Sequence, residues 1–191
     1  LLPGFNFIIA GDDEITEKVI NKSKSSGLKA IVKWGIGVDN IDKLAAKNNK
    51  IPIFNTPNVF GGEVAEQALS LILNLSRGTH IIDSEVRKGN WYKIEGTSIQ
   101  GKNLGIIGFG RIGQAMASRA HFGFGMKIKI FSRSKVSDDV LSKYNAEQLN
   151  SVDNLLNQCD FVSLHCPGGE PNRHLINSSN LSQSKRDLIL V

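Results

Sequence analysis

The chain has 191 residues, of which 40% are hydrophobic and 21% charged, which excludes a disordered or fibrous protein and allows one ordinary domain or two small ones. Its formal net charge is +5, and most of the excess follows Thr97, where there are 11 basic and 7 acidic residues, a bias too weak to indicate nucleic-acid binding. Two cysteines exclude a disulfide scaffold and suit a reducing, cytoplasmic location, and no apolar run is long enough to predict a membrane span.

The first part of the chain alternates short apolar strands with amphipathic helices. Strands are predicted over 5–10, 29–33 and 51–54, and helices over 14–22 and 41–47. This alternation is typical of a parallel sheet covered by helices.

Two further helices are predicted next in the chain. Apolar residues recur at helical spacing over 62–75, and a second helix is predicted over 79–88. It is expected to stop at Gly89, because glycine readily adopts the left-handed conformation that closes a helix. Residues 91–97 have no regular pattern, so we place a domain boundary after them.

The second domain, over 98–191, resumes the alternation of strands and helices. One helix is predicted to run from a glycine turn to about residue 120, and another over 152–158 with Ser151 as its N-cap. The predicted strands are 104–109, 126–131, 161–165 and 188–191. The fold class is therefore α/β with parallel sheets.

The glycine turn reads Gly-Phe-Gly-Arg-Ile-Gly and lies between a predicted strand and a predicted helix, the context in which this pattern indicates dinucleotide binding. Gly108 permits the tight turn, Gly110 lets the backbone approach a pyrophosphate, and Gly113 lets the helix lie close to the strand. Arg111 and Ile112 fall at the helix N-terminus, where phosphate contacts are expected. The alternative is a glycine-rich turn without a ligand.

The end of the next predicted strand indicates which dinucleotide binds. NAD enzymes place an acidic residue roughly 20 residues after the glycines to bind the ribose hydroxyls. Here Ser132 and Arg133 occupy that region, and the first carboxylate is Asp138. Serine does not repel a 2′-phosphate and arginine pairs with one, so the sequence favours NADP over NAD.

Taken together, these motifs resemble the D-2-hydroxyacid dehydrogenase family over nearly the whole chain. The stretches that carry the resemblance are LGIIGFGRIG at 104–113, LLNQCDFVSLHCP at 155–167 with Asn172 and 175–177, and GIGVDNID at 35–42 with 55–57 and 64–66. The resemblance implies a flavodoxin-like substrate domain over 1–97 and a Rossmann-type NAD(P)-binding domain over 98–191, both incomplete. It also implies hydride transfer between a nicotinamide cofactor and a D-2-hydroxyacid.

Within the family, two cues point to different members. The stretches 61–66 and 87–93 look most like phosphoglycerate dehydrogenase-type enzymes, which we favour by a small margin. The stretch 131–135 looks more like NADPH-dependent hydroxypyruvate and glyoxylate reductases. A non-catalytic corepressor-like module that senses the dinucleotide remains an alternative of another class, and a Rossmann-fold methyltransferase fits only the glycine turn.

The resemblance also implies roles for individual residues. The loop formed by Gly35, Ile36 and Gly37 would bind the substrate carboxylate through backbone N–H groups, which suits an anion-binding concavity. The residues implied to contact the cofactor outside the glycine turn are Val64, His165, Cys166 and Pro167. No metal is expected, because His165 and Cys166 lack a third and fourth ligand. A homodimer through helices in 62–88 is implied as well.

The family performs its chemistry with an arginine, a glutamate and a histidine that match no position here. We expect all three beyond Val191, so no catalytic residue is assigned within 1–191. The start at Leu1 likewise suggests that the family's first strand and helix precede it.

Overall fold

The structure is a computed structural model that describes residues 4–191, and the suggested truncation at Leu1 lies outside them. The described chain divides into two compact units between Phe60 and Gly61. None of the helices formed by residues 4–191 is both long enough and apolar enough to cross a membrane.

The first unit contains a three-stranded parallel sheet. Its strands are β1 (Phe7–Ala10), β2 (Ala30–Lys33) and β3 (Ile53–Asn55), in the order β1-β2-β3. Two short helices, α1 (Glu17–Ser25) and α2 (Lys43–Asn48), connect the strands. The core of this unit is aliphatic and includes Ile20, Leu28, Ile31, Ile41, Ala46 and Ile51.

The second unit begins with two helices and continues into a five-stranded parallel sheet of order β6-β5-β4-β7-β8. The helices are α3 (Gly61–Arg77), α4 (Thr79–Arg87), α5 (Arg111–Ser118), α6 (Asp138–Lys143), α7 (Val152–Gln158) and α8 (Ser178–Leu181). The strands are β4 (Asn103–Ile107), β5 (Lys127–Phe131), β6 (Ala146–Gln148), β7 (Phe161–Leu164) and β8 (Ile189–Leu190).

The strand order changes direction at β4. The chain moves from β4 through β5 to β6 on one side, then returns to place β7 and β8 on the other side. In open α/β sheets, ligands bind at the carboxyl ends of the strands beside such a switch point. The fold therefore directs attention to the turns that follow β4 and β7.

The two units meet before α3, whereas the sequence pattern favours a domain boundary after residue 97. Helix α3 belongs to the second unit because its small and apolar residues share a core with α5 and the five-stranded sheet. The carboxylate of Glu66 in α3 also lies 2.7 Å from the Arg119 guanidinium. The sequence pattern identified α3 as a helix, but it carried no information about which sheet that helix covers.

Most predicted elements agree with the structure to within a few residues. Ser151 caps α7, since its hydroxyl accepts a hydrogen bond from the backbone N–H of Asn154 at 3.1 Å. The helix predicted to reach residue 120 ends as α-helix at Ser118 and continues as a π-helical turn over Arg119–Gly123. Helices α6 and α8 and strand β6 were not predicted, because each is short and rich in polar residues.

Candidate functional site

The loops that follow β4, β5 and β7 enclose a cavity of about 280 Å³ in the second unit. Seven residues that the sequence analysis singled out line it: Gly108, Gly110, Ser132, Arg133, His165, Cys166 and Pro167. The cavity lies at the carboxyl ends of β4 and β7, the position that the sheet topology favours for a ligand.

Two glycines of the turn are required by the packing of the protein itself. Gly108 has φ +92°, and a Cβ there would lie 2.7 Å from the backbone nitrogen of Cys166. A Cβ on Gly113 would collide with the carbonyl oxygen of Gly108. A side chain at Gly108 would therefore push the turn away from the segment after β7. A side chain at Gly113 would push α5 away from the turn.

Gly110 differs, because a Cβ built on it would meet no protein atom within 4 Å. Its lack of a side chain leaves open space beside the cavity, as a closely approaching ligand requires. Gly110 is the N-cap of α5 and offers no side chain to cap it. The first N–H groups of this helix are thus suited to bind an anion such as a pyrophosphate, so the turn fits the group that the sequence predicted.

Arg111 and Ile112 lie in the first turn of α5, where the sequence placed them, but they do not line the cavity. Arg111 is exposed and Ile112 half-buried. Val64 lies in the first turn of α3, is 42% exposed and is also not among the cavity-lining residues.

The loop after β5 carries Ser132 and Arg133 and is held in shape by a residue that the sequence analysis missed. The side-chain amide of Gln148, at the end of β6, donates to the carbonyl oxygens of Ser132 at 3.3 Å and Ser134 at 3.0 Å. It also accepts from the backbone N–H of Val136 at 2.9 Å. Because β6 was not predicted, no signal placed Gln148 beside this loop.

His165 is half-buried at the end of β7, and its Nε2 lies 2.9 Å from the Ser163 hydroxyl oxygen. Burial lowers the pKa of the His165 imidazole and thereby favours the neutral form of the ring. The turn beyond it is fixed by Asn172, whose side-chain amide donates to the Pro167 carbonyl at 2.7 Å. Ser163 was also missed, because a serine inside an apolar strand gives no functional signal.

The two cysteines have different surroundings. Cys159 is fully buried, and burial raises the pKa of its thiol to about 12. Cys166 is partly exposed and lines the cavity, and both thiols are free. Within residues 4–191, no cluster of three or more His, Cys, Asp or Glu side chains is arranged to hold a metal ion.

In the first unit, the loop after β2 contains the residues predicted to bind the carboxylate. The N–H of Gly35 donates to the Thr56 hydroxyl at 2.8 Å and is therefore already occupied. The N–H groups of Ile36 and Gly37 have no hydrogen-bond partner in the described chain. Lys33 is buried, and its ammonium donates to the Gly11 carbonyl and to Asp12.

The chain is similar in sequence to known proteins of one family. Residues 69–191 match the model of a family described as D-isomer specific 2-hydroxyacid dehydrogenase, NAD binding domain. A hydroxypyruvate reductase of Thermotoga maritima is 37% identical over 186 residues, which cover 96% of this chain and 58% of that protein. A D-3-phosphoglycerate dehydrogenase of Methanocaldococcus jannaschii is 32% identical, over 96% of this chain and 35% of that protein.

Solved structures agree in fold as well as in sequence. The apo-structure of D-lactate dehydrogenase from Escherichia coli superposes with a TM-score of 0.88 at 28% identity. The match covers 98% of this chain and 59% of that one. The chain thus spans little more than half the length of the first of these relatives and of this solved structure.

Proposed function

Because the chain belongs to the D-isomer specific 2-hydroxyacid dehydrogenase family, we propose that the protein transfers hydride between a nicotinamide dinucleotide and a D-2-hydroxy or 2-keto acid. The observation that carries this proposal is the cavity after β4 and β7, where Gly110 leaves open space beside the uncapped N-terminus of α5. The nicotinamide ring, when bound, supplies the hydride-accepting or hydride-donating carbon.

The site residues within 1–191 bind and orient the cofactor, and none of them is assigned to proton exchange with the substrate. The first N–H groups of α5 hold the pyrophosphate, and Gly108 keeps the turn close to β7. Ser132 and Arg133 would bind the adenosine ribose and the group at its 2′ position. His165, Cys166 and Pro167 form the facing wall of the cavity.

We further propose that the preferred cofactor is NADP. Arg133 is exposed at the cavity, and a neighbouring cavity of about 640 Å³ is lined by Arg133 and Lys135 as well. No carboxylate is among the residues that line either cavity. A 2′-phosphate would therefore meet positive charge and hydroxyl groups without repulsion.

For the substrate, we propose a small 2-keto acid without a phosphate, such as hydroxypyruvate or glyoxylate. The N–H groups of Ile36 and Gly37 are available for its carboxylate, whereas the Lys33 ammonium is already bound to Gly11 and Asp12. The higher identity to the hydroxypyruvate reductase supports the same choice. A phosphoglycerate dehydrogenase-type activity, favoured by 61–66 and 87–93, is the second candidate.

The experiment is a substrate panel with the full-length protein. Hydroxypyruvate, glyoxylate, pyruvate and 3-phosphohydroxypyruvate are each supplied with NADPH and with NADH, and cofactor oxidation is followed by absorbance. We expect the highest kcat/KM with NADPH and hydroxypyruvate or glyoxylate. Dinucleotide binding without turnover of any 2-keto acid contradicts the enzymatic proposal and favours a dinucleotide-sensing module.

Helices α3 and α4 support a homodimer as the proposed assembly. Within 61–87, five large apolar side chains are more than a third exposed: Val64, Leu71, Leu75, Ile81 and Val86. Val64, Leu71 and Leu75 recur at helical spacing on one face of α3, as a helix-packing surface requires. Light scattering should give twice the monomer mass, and Leu75→Glu should reduce it to the monomer mass.

The two free thiols support a reducing, cytoplasmic location.

A further inference from the structure

Ser163 lies in the interior of the second unit, where a hydroxyl group is costly to bury without a hydrogen bond. It is 1% exposed and is paired with Ile106 in the middle of the sheet. Its oxygen lies 2.9 Å from the Nε2 of His165, which directly follows β7 and is two residues further along the chain. This is the one hydrogen bond of the Ser163 hydroxyl within the described chain.

That single contact determines which nitrogen of the neutral ring carries the proton. If Nε2 carried it, Ser163 would accept the hydrogen bond and its own buried hydrogen would have no acceptor, which is unfavourable for a buried hydroxyl group. If Ser163 donates to Nε2, both groups are satisfied and the ring proton resides on Nδ1. The geometry therefore favours the Nδ1–H tautomer.

The Nδ1–H group has no partner within residues 4–191. His165 lines the same cavity as Gly110 and Arg133. A dinucleotide is rich in hydrogen-bond acceptors, namely ribose hydroxyls and phosphate oxygens. A neutral donor such as Nδ1–H can bind either kind.

We propose that Ser163 is a positioning residue of the cofactor site, which fixes His165 as the Nδ1–H tautomer so that this group donates a hydrogen bond to the dinucleotide. The inference rests on the proposed function and assigns to Ser163 a role within it. Ser163 itself is buried in the strand and acts through the ring of His165.

The first measurement is the ring tautomer, which requires neither cofactor nor activity. Nitrogen-15 NMR of histidine-labelled full-length protein distinguishes a protonated from an unprotonated ring nitrogen, and His165→Asn identifies the signals. We expect protonated Nδ1 and unprotonated Nε2 in the wild type and in Ser163→Thr, which keeps the hydroxyl. In Ser163→Ala the Nε2–H form should become substantial, and unchanged ring signals there would overturn the proposal.

The second measurement is the Kd for NADPH by calorimetry, arranged as a double-mutant cycle. Ser163→Ala should weaken binding about tenfold and raise the KM for NADPH with little change in kcat, an effect of the size of one hydrogen bond to an ionised or polar partner. In His165→Asn, the amide nitrogen takes the position of Nδ1 and needs no help from Ser163. Adding Ser163→Ala to His165→Asn should therefore raise the Kd for NADPH by less than twofold.

The possible failures are distinguishable. An equal loss of affinity from Ser163→Ala in both backgrounds indicates a merely structural role and contradicts the inference. Unchanged affinity in Ser163→Ala, with normal binding by the wild type, contradicts the inference alone. Absence of any NADPH or NADH binding by the folded wild-type protein contradicts the proposed function as well. Thermal denaturation of each variant confirms that it is folded.

Discussion

The Cα of Gly108 lies against the peptide that joins His165 to Cys166, so close that a Cβ on Gly108 would be 2.8 Å from the carbonyl oxygen of His165. The N–H of His165 also donates to the Ile107 carbonyl at 2.7 Å. The turns after β4 and β7 are therefore packed backbone to backbone. Both sides of the candidate cofactor cavity depend on that contact.

Alanine substitutions at two glycines of the turn should distinguish a glycine that stability requires from a glycine that dinucleotide binding requires. Gly108→Ala forces a side chain into backbone at φ +92° and should lower the free energy of unfolding by about 2–4 kcal/mol. Gly110→Ala places its Cβ in open space, so stability should change by less than about 0.5 kcal/mol. Affinity for the dinucleotide should nevertheless fall at least tenfold in Gly110→Ala, because the methyl group occupies the space that the pyrophosphate needs.

Chemical denaturation and calorimetry with NADPH provide the two readouts for these variants. Gly110→Ala with wild-type affinity would show that nothing approaches the turn closely. Gly108→Ala with wild-type stability would contradict the backbone contact to β7.

Arg133 should determine the preference for the phosphorylated cofactor. Arg133→Ala is expected to raise the KM for NADPH about tenfold and to leave the KM for NADH within twofold, because a charge-assisted contact to the 2′-phosphate is lost. Arg133→Lys keeps the charge but loses the two-pronged geometry. Its KM for NADPH should lie between those of the wild type and Arg133→Ala. Equal effects on both cofactors would contradict a specific role for Arg133.

Gln148 carries no charge and should affect the same preference by holding the loop that carries Arg133 in shape. Gln148→Ala removes the three hydrogen bonds across the loop from Ser132 to Val136, so Arg133 loses its fixed position. The ratio of the KM values for NADH and NADPH should fall several-fold, with a stability loss of about 1–2 kcal/mol. Gln158→Ala is the matched control and should leave the ratio unchanged, because Gln158 is exposed at the end of α7, lines neither cavity and makes no side-chain hydrogen bond within residues 4–191.

The sequence predicted the strands on either side of the switch point and the glycine turn between β4 and α5 because each has a strong local signal. An apolar run, a glycine pattern and the Ser151 cap act over a few residues. Gln148 and Ser163 have no such signal, since their importance arises from partners 12–16 residues away in one case and from burial inside a strand in the other. The membership of α3 in the second unit depends on long-range packing, which a helical pattern does not encode.

Asp160 should make the stability of the second unit depend on pH. Its carboxylate accepts hydrogen bonds from the Lys185 ammonium at 2.7 Å and from the Asn103 backbone N–H at 2.8 Å, and thereby connects β4, β7 and the segment before β8. Burial raises the pKa of the Asp160 carboxyl, but these hydrogen bonds outweigh it and hold the pKa below its usual value of 3.8.

A lowered pKa in the folded state stabilises the protein above the unfolded pKa and ceases to do so as the pH falls through the folded value. Asp160→Asn should therefore cost about 1–2 kcal/mol of unfolding free energy at neutral pH. The difference from the wild type should shrink as the pH falls below 3.8. Asp187→Asn is the matched control, because Asp187 is exposed and has no ion pair within residues 4–191. Denaturant titrations of all three proteins across this pH range measure the effect, and a difference between Asp160→Asn and the wild type that persists unchanged at low pH would contradict it.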